Sequence, residues 1–164
     1  TDAPLDQSRH RDSSPAPTTD REEHPLLEGI HPLLTGELLL HLDRMGHSDS
    51  VVIADAHFPA WALGARVVDL PGTTTPEVVA AIRTVLPLDD APGLDLMESA
   101  DGEVLDVQHE LMAAAGTALE TTRFVERFDY YEVAKGAYLM VRTGETRKYG
   151  NALLRKGVVG HASA

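Results

Sequence analysis

Four consecutive apolar residues, Val51-Val52-Ile53-Ala54, constrain the fold of this chain more than any other feature. Three are β-branched, the run is short, and Ser50 and Asp55 bound it with polar side chains. Such a run reads as a strand buried within a sheet, and a sheet of that kind needs helices to cover it. Segments with helical spacing are present on both sides. Thr35 is placed to cap a helix in which Leu38, Leu42 and Met45 recur. Gly46 follows, a residue suited to a left-handed C-terminal cap. Thr75-Pro76 opens another helix, with Pro in the first turn, Glu77 beside it, and Val78, Val79, Ile82 and Val85 or Leu86 as its inner face.

Further along, Val104 to about Leu119 reads as a helix and Arg127 to Lys135 as a helix or turn. The stretches from Ala65 to Val68, Leu94 to Met97 and Ala137 to Val141 read as strands, and Asn151 to Val159 holds a final apolar stretch. This alternation predicts an α/β fold: one compact domain with a sheet covered by helices. A length of 164 residues suits one such domain. Residues 1–24, rich in Ser, Thr, Pro and charge, have little to bury and are expected to form a flexible N-terminal extension before a domain at 25–164. Docking on a neighbouring subunit is the alternative for that segment.

Composition excludes several classes. Twenty-six acidic residues against 14 basic ones leave a formal net charge of −12. That balance disfavours nucleic acid, whose phosphates are neutralised by Lys and Arg, and is indifferent to a neutral ligand. Without cysteine there is no disulfide, thiolate nucleophile or Cys-ligated zinc, which fits a reducing compartment. No apolar run approaches the roughly 20 residues that span a bilayer, and the N-terminus lacks the apolar stretch of a secretory signal. The expectation is a soluble cytoplasmic protein with no membrane partner.

Chemistry concentrates in three islands: Met45-Gly46-His47-Ser48-Asp49 after the first helix, Ala54-Asp55-Ala56-His57-Phe58-Pro59 after the first strand, and Arg142-Thr143-Gly144-Glu145 running through Arg147-Lys148-Tyr149-Gly150-Asn151. Loops after strands are the usual ligand sites of α/β folds. Taken singly, each has a plain structural reading: His47 as a residue favoured by a helix C-terminus, Asp55 as a turn cap, Tyr149-Gly150-Asn151 as a turn, and Arg127 as half of a solvated pair with Glu126 or Glu132. Asp55 and His57 are ordinary metal ligands, but no third and fourth ligand accompanies them, so no metal is expected.

Together, MGHSDSVVIADAHFPA and RTGETRKYGNALLRKGV, with Gly29 to Leu34, Arg127-Phe128 and Tyr131-Glu132, resemble the RbsD/FucU sugar mutarotases over about Gly29 to Val159. Within that family the chain looks like the fucose branch, with Arg127 where the ribose branch commonly carries His. Ser48 and Ser50 depart from the commonest spelling but leave His47 and Asp49 in place. The resemblance implies a cofactor-free isomerase that interconverts the α and β anomers of a free monosaccharide, L-fucose or a related sugar. It implies His47 as proton donor and Asp55, Arg127, Tyr149, Gly150 and Asn151 as the substrate-binding set. It also implies a homo-oligomer, a toroidal decamer with sites near subunit boundaries.

On physical grounds, Asp55 can accept from two sugar hydroxyls or orient His47, the Arg127 fork can donate to adjacent hydroxyl oxygens, and Gly150 permits close backbone approach. The Tyr149 hydroxyl is a candidate second proton relay. Phe58 and Trp61 are candidates to stack on the sugar, with core or subunit packing the plainer role for each. Two alternatives remain open at this point: a D-ribose pyranase-type activity, and a non-catalytic sugar-binding or regulatory protein.

Overall fold

The computed structural model describes residues 26–90 and 92–160. The extension expected at 1–24 lies outside them. Thr35 accepts a hydrogen bond from the Leu38 N–H at 3.2 Å and starts helix α1, Gly36–Arg44. Strand β1, Ser50–Ala54, follows and is buried from Val51 onward. A short helix α2, Ala60–Leu63, leads to β2, Val67–Leu70. Helix α3, Thr75–Arg83, opens with a full capping box, in which Thr74 and Glu77 satisfy each other's backbone N–H groups. Then come β3 (Leu94–Met97), α4 (Asp106–Ala115), a 3-10 turn (Leu119–Thr121), β4 (Thr122–Val125), α5 (Arg127–Lys135), β5 (Leu139–Thr143) and β6 (Ala152–Arg155).

The six strands form one sheet in the order β2-β5-β1-β6-β3-β4. β1 runs parallel to β5 and β5 to β2, while β3 runs parallel to β4. β6 is antiparallel to both its neighbours, β1 and β3. It thus closes the centre of an otherwise parallel sheet. On one face Val51, Ile53, Leu94, Leu96, Leu139, Val141 and Leu154 pack with Leu38, Leu42, Val78, Ile82 and Leu111 from α1, α3 and α4. On the other, Val52, Ala54, Met140 and Leu153 pack with Ala60 of α2 and with Tyr130 and Ala134 of α5. Both faces of β1 are therefore covered, as its unbroken apolar run requires. None of the described helices is long and apolar enough to cross a membrane.

Several expectations shift. Gly46 does not form a left-handed cap: α1 ends on an extended Met45, and the left-handed residue is Ser48, at φ 66°. The Lys156 ammonium supplies the missing cap by donating to the carbonyls of Leu42 and Met45 at 2.9 and 2.6 Å. The helix expected to reach Leu119 stops at Ala115, where Gly116 turns left-handed at φ 73°. The chain is thereby free to form β4, which patterning did not reveal, as it did not reveal α2. β2 and β5 each begin two residues later than expected. Beside β4, the fully buried Asp95 carboxylate is clamped by Arg123 and Arg155, each through two hydrogen bonds of 2.5–3.0 Å. The pairing offsets the large desolvation cost of a buried carboxylate.

Candidate active site

The carboxyl ends of β1, β3, β4 and β5 lie along one edge of the sheet, and the antiparallel β6 starts from that same edge. Asp55 leaves β1 there and is 5% exposed. Its Oδ1 accepts the backbone N–H groups of His57 and Phe58 at 2.9 and 2.8 Å, closing the Asp55–Pro59 turn. Asn151, immediately before β6, meets Asp55 twice: Oδ1 accepts the Asp55 N–H at 2.8 Å, and Nδ2 donates to Asp55 Oδ2 at 3.1 Å. Burial pushes the Asp55 carboxyl above its ordinary range, against the pull of the three donors. One lone-pair direction on Oδ2 stays open for a ligand hydroxyl.

The loop from β5 to β6 carries Tyr149 and Gly150 to the same edge. Its anchors are the Ala56 N–H donating to the Glu145 carbonyl at 2.8 Å and the Thr143 hydroxyl donating to the Ala54 carbonyl at 2.9 Å. Glu145 is buried and accepts the Arg147 N–H at 3.0 Å and the guanidinium at 2.9 and 3.0 Å, while Arg147 also grips Glu110 of α4 through two further bonds. Arg147 holds the Glu145 carboxyl below its ordinary range. So clamped, the loop puts Tyr149 at φ 60°, a conformation uncommon outside glycine and found disproportionately at ligand sites. A Cβ on Gly150 would lie 2.9 Å from Glu145 Cγ and 3.1 Å from the Arg147 carbonyl oxygen, so close packing explains a glycine there.

Asp55, Asn151 and Tyr149 line a cavity of about 380 Å³ together with Arg127, His57, Phe58, Met97, Tyr131 and Lys148. Its size suits a small molecule. Arg127 opens α5, where Glu126 caps the helix through the Phe128 and Asp129 N–H groups. Its Nε donates to the Tyr131 hydroxyl at 3.2 Å, and the guanidinium lies 5.7 and 5.8 Å from the Phe128 and Tyr131 ring centres. The charge-pair reading of Arg127 thus gives way to an aromatic contact. Gln108 of α4, fully buried, donates to the Met97 carbonyl at 2.7 Å and secures the end of β3 beneath the cavity. Phe58 is buried against Tyr130 and Tyr131, with one edge in the cavity. Trp61, 61% exposed, is not among the cavity residues and donates to Asp69 instead.

His47 stands apart. It precedes β1, whereas Asp55 follows it, so the length of a five-residue strand, about 17 Å, separates the two ends. Of the two roles open to Asp55, orienting His47 is not seen within the chain; the structure gives the imidazole Asp89, with Nε2 and Oδ1 3.4 Å apart. Ser48 donates to the other Asp89 oxygen at 2.9 Å, and the Ser48 N–H donates to the Lys156 carbonyl. Ser48, the Asp90 N–H and His47 hold the Asp89 carboxyl below its ordinary range. Asp89 has no sequence signal linking it to His47, because 42 residues separate them. Among the described residues no group of three or more His, Asp or Glu is arranged as a metal-binding cluster.

Residues 28–159 match the model of the RbsD / FucU transport protein family. A protein of Haemophilus influenzae named L-fucose mutarotase is 42% identical over 141 residues, covering 81% of this chain and 97% of that protein. Among solved structures, the fucose mutarotase of Streptococcus pneumoniae in complex with L-fucose is 33% identical with a TM-score of 0.76, over 82% of this chain and 100% of that one. Bacillus subtilis RbsD complexed with D-ribose shares the fold, with a TM-score of 0.63 at 20% identity over 77% of this chain and 95% of that one. The overall fold is thus a shared one, and the chain is a member of the RbsD/FucU family.

Proposed function

We propose that this protein is an L-fucose mutarotase, an isomerase that interconverts the α and β anomers of the free sugar by opening and reclosing its ring. The observation that carries the reading is the convergence of Asp55, Arg127, Tyr149 and Asn151 on one cavity. Asp55 accepts from a sugar hydroxyl through its open Oδ2 position, Arg127 donates to hydroxyl oxygens, and Tyr149 and Asn151 complete the polar wall, with Gly150 giving the loop its close packing. The reaction moves protons only: one reaches the ring oxygen and one leaves the anomeric hydroxyl. Imidazole suits such exchange near neutrality. Likeness to L-fucose mutarotases at 42% identity, against 20% to the ribose-bound relative, favours fucose over ribose.

His47 is the donor in this reading, and its distance from Asp55 within one chain gives the assembly a chemical role. A second copy supplies His47 to the cavity of its neighbour, in a homo-oligomer proposed, from the family resemblance, to be a toroidal decamer. Asp89 accepts from the imidazole and holds it in place. The absence of cysteine fits a cytoplasmic enzyme. Saturation-transfer NMR between the α and β anomeric signals of L-fucose tests the assignment, with D-ribose as comparison. Fast exchange on fucose, lost in His47→Ala with the fold intact, is the expected result. No acceleration on either sugar by folded protein would reject it and favour a binding role.

A further inference from the structure

Ring opening needs two proton-handling groups, and the cavity contains an imidazole that the substrate-binding set leaves unused. His57 is exposed and lines the cavity with Arg127, Lys148, Tyr131 and Tyr149. Its position is built rather than incidental. The His57 N–H is held by Asp55 Oδ1 at 2.9 Å, and the same oxygen holds the Phe58 N–H at 2.8 Å. Phe58 is then pinned in the core against Tyr130 and Tyr131, at ring separations of 6.1 and 5.5 Å. The turn is thus fixed at both ends, while the imidazole itself is free to meet a ligand lying on Asp55.

Other groups around the cavity are worse suited to taking a proton near neutrality. They are phenols and an ammonium, and as a class phenols ordinarily titrate near 10 and an alkylammonium at about 10.4, against about 6.5 for imidazole. Efficient proton transfer favours a group whose value lies near the working pH. Asp55 already accepts three hydrogen bonds, which leaves it a binding group.

Resting on the mutarotase reading, we propose that His57 is the second catalytic residue, the base that takes the anomeric proton. As His47 protonates the ring oxygen, the C1–O5 bond breaks. Neutral His57 removes the C1 hydroxyl proton, and the C1–O1 bond becomes a carbonyl. After rotation about C1–C2, the O5 hydroxyl attacks the other face of C1. Its proton returns to His47, and His57 returns its proton to O1. No atom or electron is gained or lost over the cycle, and both imidazoles end as they began.

The test compares the wild-type protein with His57→Gln and His57→Ala, by saturation-transfer NMR on L-fucose and by calorimetric titration of the same sugar. Thermal unfolding midpoints confirm folding. The expected result is a loss of about 100-fold or more in exchange, a fucose dissociation constant within about threefold of wild type, and partial rescue of His57→Ala by added imidazole. Exchange within about threefold of wild type overturns the proposal and leaves the mutarotase reading intact. Parallel loss of binding and exchange without imidazole rescue also overturns it, making His57 a binding residue. A wild-type protein that exchanges neither fucose nor ribose overturns both.

Discussion

Asp55 shows how a single side chain can build a turn and line a cavity at once. Burial raises its pKa, so its contribution to stability is fullest below the ordinary value of 3.8 and is lost as pH rises through the folded value. Keeping such a group ionised at neutral pH costs stability, a cost commonly tolerated at functional sites. Glu145 has the opposite sign. Held down by Arg147, it contributes stability above its ordinary value of 4.5 that is lost as pH falls through the lower folded value. Thermal unfolding of wild type and Glu145→Gln should therefore differ by a steady gap from pH 7 to about 5, and the gap should shrink below about 4.5. A gap unchanged down to pH 3 would show that the charge of the pair contributes nothing. At the other edge of the sheet, Asp89→Asn should slow fucose exchange roughly tenfold, equivalent to about 1.4 kcal/mol, without altering fucose affinity. Weakened binding in that variant would argue that Asp89 contacts the sugar directly.

Among the elements, α3 and the β5–β6 loop differ in what they demand of sequence. α3 is built from local rules: Thr74, Pro76 and Glu77 start it, and Val78, Val79 and Ile82 bury its inner face. Each of these features is visible in the chain before folding, and its inner face was read correctly. The loop is built from long-range restraints. Glu145 reaches Gly150, Arg147 reaches Glu110, and the Glu145 carbonyl holds Ala56. Gly150→Ala should therefore cost about 1–3 kcal/mol, as an overpacked site does, because the Arg147 carbonyl oxygen in its way is main chain. Urea denaturation measures that cost, and fucose titration should show weaker binding as Tyr149 and Asn151 shift. Full stability and full affinity in the variant would mean that the loop yields freely.

For the whole molecule, the sheet separates the candidate groups into two edges, with Asp55, Arg127, Tyr149 and Asn151 at one and His47 at the other. A site shared between copies follows from the proposed function, and it makes a quantitative prediction. His47→Ala and Asp55→Ala should each be inactive alone. Unfolded together in equal amounts and refolded, they should regain about a quarter of wild-type exchange, because random pairing across a head-to-tail interface restores both residues at one site in four. No recovery in mixed oligomers, with mixing verified by mass, would place His47 and Asp55 of a working site in the same chain. Sedimentation of the wild-type protein should show an oligomer at assay concentrations.

Much of the local order was legible in the residues, where short-range physics decides. β1 is a β-branched run, β3 was read to the residue, and the caps Thr35 and the Thr75-Pro76 opening mark where α1 and α3 begin. Of the three polar islands, those around Asp55 and Tyr149 line the cavity and the one around His47 does not, and motif resemblance grouped residues up to about 100 positions apart. Tertiary structure alone decided the rest. β4, Thr-Arg-Phe-Val at the sheet edge, has no clean alternation, and its Arg123, though exposed, is held by the buried Asp95, a partner 28 residues away. The reversed direction of β6, which sets Asn151 against Asp55, leaves no trace in the composition of Ala152 to Arg155. Contacts between residues distant in sequence, such as His47 with Asp89, depend on chain closure over dozens of residues, and periodicity within a short window cannot carry that information.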